Sequence, residues 1–405
     1  MAWDVRPTTS LEEFADAVGA IFHYFGQGEP DLERVERFSC ALPFERMHAA
    51  RDGDHIVGGA GAFPFEFSVP GGTIPCAGIT VVGVLPTYRR RGVLTAMMQT
   101  QLEDIRRRGE PMAALWASEE TIYGRFGYGL ASLTAAIELP RIYGSLRQPT
   151  DPAARTKLVS LVQAKEVVPP IYDRVRLQTP GMFGRTPAWW ETRVLADPPD
   201  RREGAGAKNA VVLELDGRDA GYALYRLTPK FEGGLGIGET RVIEAMGESP
   251  AAVRELWRFL LELDWMAIVQ ASLLPIDHPL WLMLRSPRRM KMRVGDSLWC
   301  RLVDVGAALS GRSYAADGEI VFEVADAFLP ENEGRWRLAG GAAARTDAEA
   351  DLELNVTELG SVYLGGFSFA ELQRAGLVRE LKAGAVERAD DLFATGVKPW
   401  CPEIF

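Results

Sequence analysis

The stretch ITVVGVLPTYRRRGVLTAMM, residues 79–98, carries the strongest structural signal in this chain. It begins with an apolar, β-branched run that stops at Leu85-Pro86, which predicts a strand. A basic loop, RRRG (89–92), follows, and apolar residues then recur at helical spacing. A strand that enters a helix through such a loop offers unpaired N–H groups, a positive dipole and fixed charge. The stretch therefore predicts an anion site, although an arginine triplet also fits a solvated surface turn.

The basic loop resembles the pyrophosphate loop of the GCN5-related N-acetyltransferase (GNAT) family, which reads Arg/Gln-x-x-Gly-x-Gly/Ala. Here it reads Arg89-x-x-Gly92-x-Leu94, with leucine in place of the last small residue. That departure occurs in one branch, and the chain resembles this branch, the enhanced-intracellular-survival (Eis) acetyltransferases. The resemblance extends, in the same order, to ASEETIYGRFGYG (117–129), GYALYRL (221–227), DSLWCRLVDVGAAL (296–309), LGSVYLGG (359–366) and the terminal Phe405. It covers essentially the whole chain.

Composition and charge limit the classes of partner. The 405 residues are 47% hydrophobic and 25% charged, and a chain of this length predicts two or three domains. A net charge of −10 and a pI of about 5.2 argue against nucleic acid as the main partner. The four separated cysteines and four scattered histidines show neither a disulfide framework nor metal-ligand spacing. With no signal peptide or membrane span recognised, we expect a cytoplasmic protein without a metal or a membrane partner.

The order of predicted elements indicates an α+β fold, and the resemblance implies two tandem GNAT-like domains, each a mixed sheet with flanking helices. The first, residues 1–145, is predicted to bind acetyl-CoA. It contains strands at 55–62 and 65–69, interrupted around Pro64, and then the central strand, loop and helix. The strand MAALWAS (112–118) should run parallel to the central one, because a helix connects them. If the two strands diverge below the loop, they leave a slot for a ligand.

The second half of the chain repeats this order without the basic loop. In residues 146–295 the helix is preceded by AMGESP (245–250), which carries an acid and no arginine, so we predict a second GNAT-like domain without cofactor. Residues 296–309 are expected to return to the first or the second domain. Residues 296–405 are strands followed by helices, and the resemblance implies a sterol-carrier-protein-like domain whose C-terminus reaches the active site.

The resemblance implies acetyl-CoA as co-substrate, with its pantetheine arm on the backbone of the central strand and its pyrophosphate in the basic loop. The implied cofactor-binding residues are Val82, Val84, Arg89, Arg90, Gly92, Val93, Leu94, Ser118 and Glu119.

Tyr123 is the candidate general acid. Ser118 is predicted to cap a short helix that the following glycines end, and this helix places Tyr123 near the slot. A phenol with a reference pKa of ~10 is protonated at neutral pH and can protonate a leaving thiolate. The resemblance implies this role for Tyr123. Tyr128 is the second choice, and an isolated tyrosine here also fits a core aromatic.

The chain ends in KPWCPEIF (398–405), a stiff aromatic tail that also fits simple packing. The resemblance implies that the α-carboxylate of Phe405 enters the active site as general base. A C-terminal carboxylate has a reference pKa of ~3.3–3.7 and is a weak base unless burial raises that pKa. It can alternatively orient the ammonium or a water molecule.

The predicted acceptor is a small molecule with a primary amine, aminoglycoside-like or polyamine-like. The predicted substrate-binding residues are Phe22, Tyr24, Trp116 and Glu403, of which Trp116 also fits core packing. Aminoglycoside-acetylating relatives have acids before the terminal aromatic and in the first helix. Here Ile404 and FHYF (22–25) stand there, which argues against an aminoglycoside more than against acetyl transfer.

Two other functions remain open from the sequence. One is a lipid-binding or small-molecule-binding protein with a non-catalytic GNAT scaffold, and the other is a protein-lysine acetyltransferase. The resemblance also implies a homo-hexamer built as a trimer of dimers.

Overall fold

A computed structural model describes residues 3–26, 28 and 30–405. The helices are α1 (Leu11–Phe22), α2 (Leu32–Ser39), α3 (Val93–Arg107), α4 (Glu120–Tyr123), α5 (Leu161–Arg176), α6 (Pro187–Trp189), α7 (Pro250–Glu262), α8 (Leu280–Met283), α9 (Val305–Ser310), α10 (Val356–Val362), α11 (Phe369–Arg374) and α12 (Ala385–Phe393). The strands are β1 (Asp4–Pro7), β2 (Met47–Asp52), β3 (His55–Val69), β4 (Gly72–Val84), β5 (Met112–Trp116), β6 (Gly129–Leu130), β7 (Leu133–Pro140), β8 (Arg155–Val159), β9 (Lys208–Leu215), β10 (Arg218–Thr228), β11 (Phe231–Glu232), β12 (Leu235–Gly236), β13 (Gly238–Gly247), β14 (Met266–Pro275), β15 (Arg293–Asp296), β16 (Leu298–Leu302), β17 (Glu319–Ala325), β18 (Gly334–Ala339), β19 (Ala342–Arg345), β20 (Leu352–Asn355) and β21 (Val378–Glu380).

The chain forms two compact units. The first contains the described residues through Ser132 together with Ser297–Pro399 and Ile404–Phe405, and the second contains Leu133–Asp296 and Trp400–Glu403. The predicted domain boundaries at 145/146 and 295/296 stay predictions.

The first unit is built on a seven-stranded sheet in the order β1-β2-β3-β4-β5-β16-β6. Strand β16 follows the second unit in sequence, yet it pairs between β5 and β6 and so completes the first sheet. The long strand β3 continues through Pro64, where a break was predicted. Pairing with β2 ends at Gly61, so β3 is a local edge at Pro64, and an edge tolerates the missing N–H.

Strands β4 and β5 are parallel, as predicted, and they separate to form the slot. Their pairing runs only from Cys76 opposite Met112 to Ile79 opposite Leu115. Val81 then adopts a positive φ of 47°, within an irregularity of the β3–β4 register, while β4 continues to Val84. A bulge of this kind bends a strand and ends its pairing, so the far end of β4 is left without β5 beside it.

The second unit is built on a seven-stranded sheet in the order β15-β7-β14-β13-β10-β9-β8. Helix α7 begins at Pro250, and the Ser249 side chain directly before it accepts a hydrogen bond from the backbone N–H of Ala252. Trp257 of this helix is fully buried in the core cluster of the unit.

Residues beyond β16 add a smaller layer to the first unit. Its five-stranded sheet has the order β19-β18-β17-β20-β21, and helices α10, α11 and α12 follow or interrupt these strands in sequence. No helix in the described ranges combines the length and hydropathy needed to cross a membrane.

Candidate active site

A cavity of about 740 Å³ lies in the first unit where β4 and β5 separate. Its walls come from the end of α1 and the residues after it, from β4, the basic loop, the start of α3, and the turn that contains α4. The predicted residues that line it are Val82, Val84, Arg89, Arg90, Gly92, Val93, Leu94, Ser118, Glu119, Tyr123 and Tyr24. The structure therefore brings together every predicted cofactor residue and the candidate acid.

The basic loop meets the cavity at the N-terminus of α3. Arg90 and Gly92 have positive φ angles of 60° and 83°, and Gly92 occupies the N-cap position. No side chain caps this helix, so its first N–H groups remain for a ligand. Glycine reaches this backbone conformation freely, whereas an arginine does so only at a cost in energy. Such strain persists where the surroundings enforce it, often at functional sites.

The cavity has an excess of positive charge. Arg89, Arg90 and Arg125 line it against one acid, Glu119, which leaves two net positive charges. Arg125 is a lining residue that the sequence analysis missed, although it lies two positions after Tyr123 in the quoted stretch 117–129. A doubly charged pyrophosphate matches this electrostatic arrangement.

The Tyr24 side chain joins two parts of the lining. Its hydroxyl donates a hydrogen bond of 2.7 Å to the Val84 carbonyl oxygen, and the Arg89 guanidinium lies 5.9 Å from its ring centre. Tyr24 is 44% exposed, so this contact is made at the open side of the cavity.

Tyr123 lines the cavity, and its hydroxyl is protonated at neutral pH. It is 6% exposed, and burial raises the pKa of its hydroxyl to about 12. Within the described residues no hydrogen-bond partner engages this hydroxyl, so it is available to donate. The helix that carries it has Glu119 at its N-cap, without a side-chain cap, so the prediction that Ser118 caps it is wrong. Ser118 lies one position before this N-cap, outside the position from which a side chain caps the first N–H groups of a helix.

Tyr128 is less suited to the acid role. Its ring packs edge-on at 6.0 Å from that of Tyr123, but the residue is fully buried and does not line the cavity. Burial raises the pKa of its hydroxyl far above the ordinary value. This side chain supports Tyr123 from behind.

Phe405 is docked within the first unit. It is 7% exposed, and its ring meets Phe65 edge-on at 5.0 Å, while Phe65 stacks on Phe63 at 5.5 Å. The terminal residue is thus ordered by an aromatic row. Its role as a base stays a prediction.

Glu403 belongs to the second unit, where its carboxylate is fully engaged. It accepts a hydrogen bond of 2.9 Å from the Trp189 indole N–H and forms ion pairs with Arg185 at 3.1 Å and Arg193 at 3.7 Å. These partners hold the tail, and a role for Glu403 in substrate binding stays a prediction.

Phe22 and Trp116 are absent from the residues that line the described cavity. Phe22 ends α1 and packs under the Arg34 guanidinium at 4.8 Å. Trp116 is half-buried at the end of β5, opposite Leu298 of β16. Their substrate-binding roles also stay predictions.

Comparisons with known proteins agree with this geometry. Models of the acetyltransferase (GNAT) domain match residues 4–131 and 181–302, and a model of the sterol carrier protein domain matches residues 305–402. The N-acetyltransferase Eis of Mycobacterium tuberculosis is 34% identical over 90% of both chains. The chain belongs to the Eis-like GNAT acetyltransferases.

Other Eis-like relatives cover nearly all of the chain. An uncharacterized N-acetyltransferase of Streptomyces avermitilis is 45% identical over 94% of both chains. The crystal structure of Eis1 from Mycobacterium abscessus has a TM-score of 0.86 and 34% identity, covering 99% of this chain and all of that one. The protein is therefore an acyltransferase, and GNAT acetyltransferases use acetyl-CoA. The predicted fold class, two GNAT domains and a sterol-carrier-protein-like domain, is confirmed.

The second GNAT domain differs from the first at the place of the basic loop. Glu248, just before α7, forms ion pairs with Arg174 and with Arg218, the latter at 2.7 Å. An acid fixed by two arginines occupies the position where the first domain of this Eis-like enzyme has its uncapped, basic helix start.

The described residues contain no cluster of three or more histidine, cysteine or acidic side chains placed to hold a metal ion.

Proposed function

We propose that this N-acetyltransferase binds acetyl-CoA in the cavity of the first unit and transfers the acetyl group directly to a primary amine of a small molecule. The supporting observation is that one cavity joins the basic, uncapped start of α3 to the Tyr123 hydroxyl. In this proposal the pyrophosphate of acetyl-CoA binds at the start of α3, and its thioester lies near Tyr123. The nine predicted cofactor residues all line it.

The proposed reaction is a single acyl transfer. The amine nitrogen attacks the thioester carbonyl carbon, a C–N bond forms, and the C–S bond breaks. The Tyr123 hydroxyl gives its proton to the departing sulfur and is later reprotonated from solvent. The amine loses a proton, which the terminal carboxylate of Phe405 receives in this proposal.

The acceptor is proposed to be a cationic small molecule, in the aminoglycoside or polyamine class. Glu403 does not add a free carboxylate to such a site, because Arg185 and Arg193 already neutralise it. Among these acceptors we therefore favour amines with few charges over aminoglycosides with many.

The test is a thiol-release assay with purified protein and acetyl-CoA, run over aminoglycosides, polyamines and lysine peptides, with calorimetric titration of coenzyme A in parallel. Thiol release with a small amine supports the proposal. Release with lysine peptides alone would favour a protein-lysine acetyltransferase. Absence of coenzyme A binding would refute the proposed cavity assignment and favour a non-catalytic binding protein.

We also propose the hexameric assembly, a trimer of dimers, that the Eis resemblance implies, and a cytoplasmic location. Light scattering coupled to size-exclusion chromatography tests the assembly, and a mass corresponding to a monomer or dimer would refute it.

A further inference from the structure

The third arginine of the basic loop is directed to an aromatic pair instead of the cavity. The Arg91 guanidinium lies 5.4 Å from the ring centre of Trp3 and 4.9 Å from that of Tyr88, and Arg91 is absent from the cavity lining. The two rings themselves meet edge-on at 6.1 Å. A cation between two aromatic faces is attracted to both. We call Trp3, Tyr88 and Arg91 the aromatic clasp.

The aromatic clasp also holds the backbone of the loop. The Trp3 indole N–H donates a hydrogen bond of 2.9 Å to the carbonyl oxygen of Arg91. That carbonyl lies between Arg90 and Gly92, the two residues with positive φ. Because Arg90 is not a glycine, its conformation needs support from its surroundings. The hydrogen bond from Trp3 holds the Arg91 carbonyl in place directly after Arg90 and so supports the Arg90 conformation.

Both rings of the clasp are connected to the body of the first unit. Trp3 directly precedes β1, which pairs with β2, and Tyr88 ends the short turn that follows β4. Trp3 and Tyr88 pack against the same apolar cluster as Val93 and Met97 of α3. The clasp therefore ties the loop to the first strand and to the helix that the loop opens.

We infer that Trp3 and Arg91 are positioning residues for the cofactor pyrophosphate, together with Tyr88, which also lines the cavity. They hold the basic loop so that Arg89, Arg90 and the first N–H groups of α3 face the cavity, while Arg91 itself makes no contact with the ligand. The inference rests on the proposed function, since it takes acetyl-CoA as the ligand of this cavity. Its consequence is specific: loss of the clasp weakens cofactor binding and leaves the chemical step unchanged.

The first test is Trp3→Phe, which keeps an aromatic ring beside Arg91 and removes the N–H donor. We expect the Kd for coenzyme A and the KM for acetyl-CoA to rise by roughly threefold to tenfold, the range that loss of one neutral hydrogen bond produces, with kcat unchanged. Trp281→Phe, at a 48% exposed tryptophan of the second unit, is the matched control and should change neither value.

A second variant and a second donor separate positioning from charge and from general damage. Arg91→Lys keeps the charge but loses the planar group between the rings, so the Kd should rise here too. S-acetylpantetheine has no pyrophosphate, so both variants should use it with the wild-type kcat/KM. An equal loss with this donor would show a general structural role and overturn the inference.

The outcomes also distinguish this inference from the proposed function. Wild-type protein that fails to bind coenzyme A refutes the proposed function itself. Wild-type binding with unchanged Kd and KM in both Trp3→Phe and Arg91→Lys refutes the aromatic clasp alone.

Discussion

Tyr123 shows how burial can suit a side chain to proton donation. Desolvation disfavours the tyrosinate anion and raises the pKa to about 12, so the hydroxyl remains protonated throughout the physiological range. The same desolvation acts on a thiolate that forms in the cavity and makes that thiolate a stronger base than it is in water. In the proposed reaction, the proton therefore moves from Tyr123 to the sulfur as the C–S bond breaks and not before.

Replacing this donor is the most direct test of its role. Tyr123→Phe should lower kcat by ~10²–10⁴-fold, the usual range for loss of an acid–base group, with an unchanged Kd for coenzyme A. Tyr128→Phe is the matched control and should lower kcat much less, because Tyr128 does not line the cavity. A larger loss in the Tyr128 variant would assign the acid to that residue.

The pH dependence of turnover tests the same assignment independently. Because the pKa of Tyr123 is raised to about 12, ionisation of this donor begins only above about pH 11. We expect no fall in kcat attributable to Tyr123 between pH 7 and 10. A basic limb near pH 10 that disappears in Tyr123→Phe would contradict the raised pKa.

Phe405 offers a test that separates its ring from its carboxylate. Deleting Phe405 should abolish turnover and spare the Kd for coenzyme A, because both the aromatic anchor and the proposed base are lost. Addition of one glycine after Phe405 keeps the ring on Phe65 and moves the carboxylate, so kcat should again fall by at least tenfold. Full activity of the extended protein would show that the carboxylate is not the base.

Strand β4, the basic loop and helix α3 together form the proposed platform for acetyl-CoA. The bulge at Val81 ends the pairing with β5, and two residues with positive φ then turn the loop into the helix. The bulge opens the slot between β4 and β5. The two residues with positive φ place the N–H groups of α3 and the arginines of the loop at the end of that slot. Gly92 serves both purposes, because it adopts the positive φ that turns the loop into α3 and, without a side chain, it leaves the first N–H groups of that helix accessible to a ligand.

Two glycines at the ends of α3 provide a matched pair of variants. Gly92 and Gly109 have φ angles of 83° and 75°, and an added Cβ would contact nothing within 4 Å at either position. Gly92→Ala and Gly109→Ala should therefore both lower the free energy of unfolding by about 1–2 kcal/mol through backbone strain alone. Only Gly92→Ala should raise the Kd for coenzyme A in calorimetric titration. Equal effects on binding would show that the loop conformation is not specific to the ligand.

The sequence predicted those parts of this platform whose conformation is determined by residues adjacent in the chain. The strand, the loop and the existence of the helix after it follow from hydrophobic periodicity and from the basic loop itself. The positive φ of Val81 could not be predicted, because valine disfavours that conformation and only the packed sheet enforces it. Arg125 was missed for a similar reason, since its place on the wall depends on the turn after α4.

Most of the C-terminal segment belongs to the first unit. Arg301 of β16 and Asp326 form a buried ion pair at 2.6 Å, and Phe328 packs edge-on at 5.0 Å against Phe126 in the turn after Tyr123. A Cβ on Gly127 would lie 2.6 Å from the Arg301 guanidinium. The sterol-carrier-protein-like domain therefore packs against the turn that follows Tyr123 and supports it.

Breaking the buried pair should be far more damaging than breaking an exposed one nearby. Asp326→Asn leaves the fully buried Arg301 without a counter-charge and should lower the free energy of unfolding by about 3–5 kcal/mol. Glu323→Gln, in an exposed pair with Arg335 at 2.9 Å, should cost at most about 1 kcal/mol. Urea denaturation followed by fluorescence measures both, and similar values would refute the supporting role of the pair.

Contacts between distant parts of the sequence were the hardest to predict. The sequence left open which sheet residues 296–309 would join. Strand β16 pairs with β5 on one edge and with β6 on the other, and nothing in its own sequence identifies these two partners. The ion pairs of Glu403 could not be predicted for the same reason: its arginine partners lie about two hundred residues earlier, and nothing near the C-terminus signals them.

The insertion of β16 has a consequence for how the protein is made. The edge of β5 is synthesised early, but its partner strand leaves the ribosome roughly 180 residues later, and at about 5–20 residues per second this takes about 10–40 s. During that time one edge of the apolar strand MAALW (112–116) has unpaired backbone N–H and C=O groups, while the second unit is being translated. The nascent enzyme should therefore depend on a chaperone to a degree that its finished structure does not suggest.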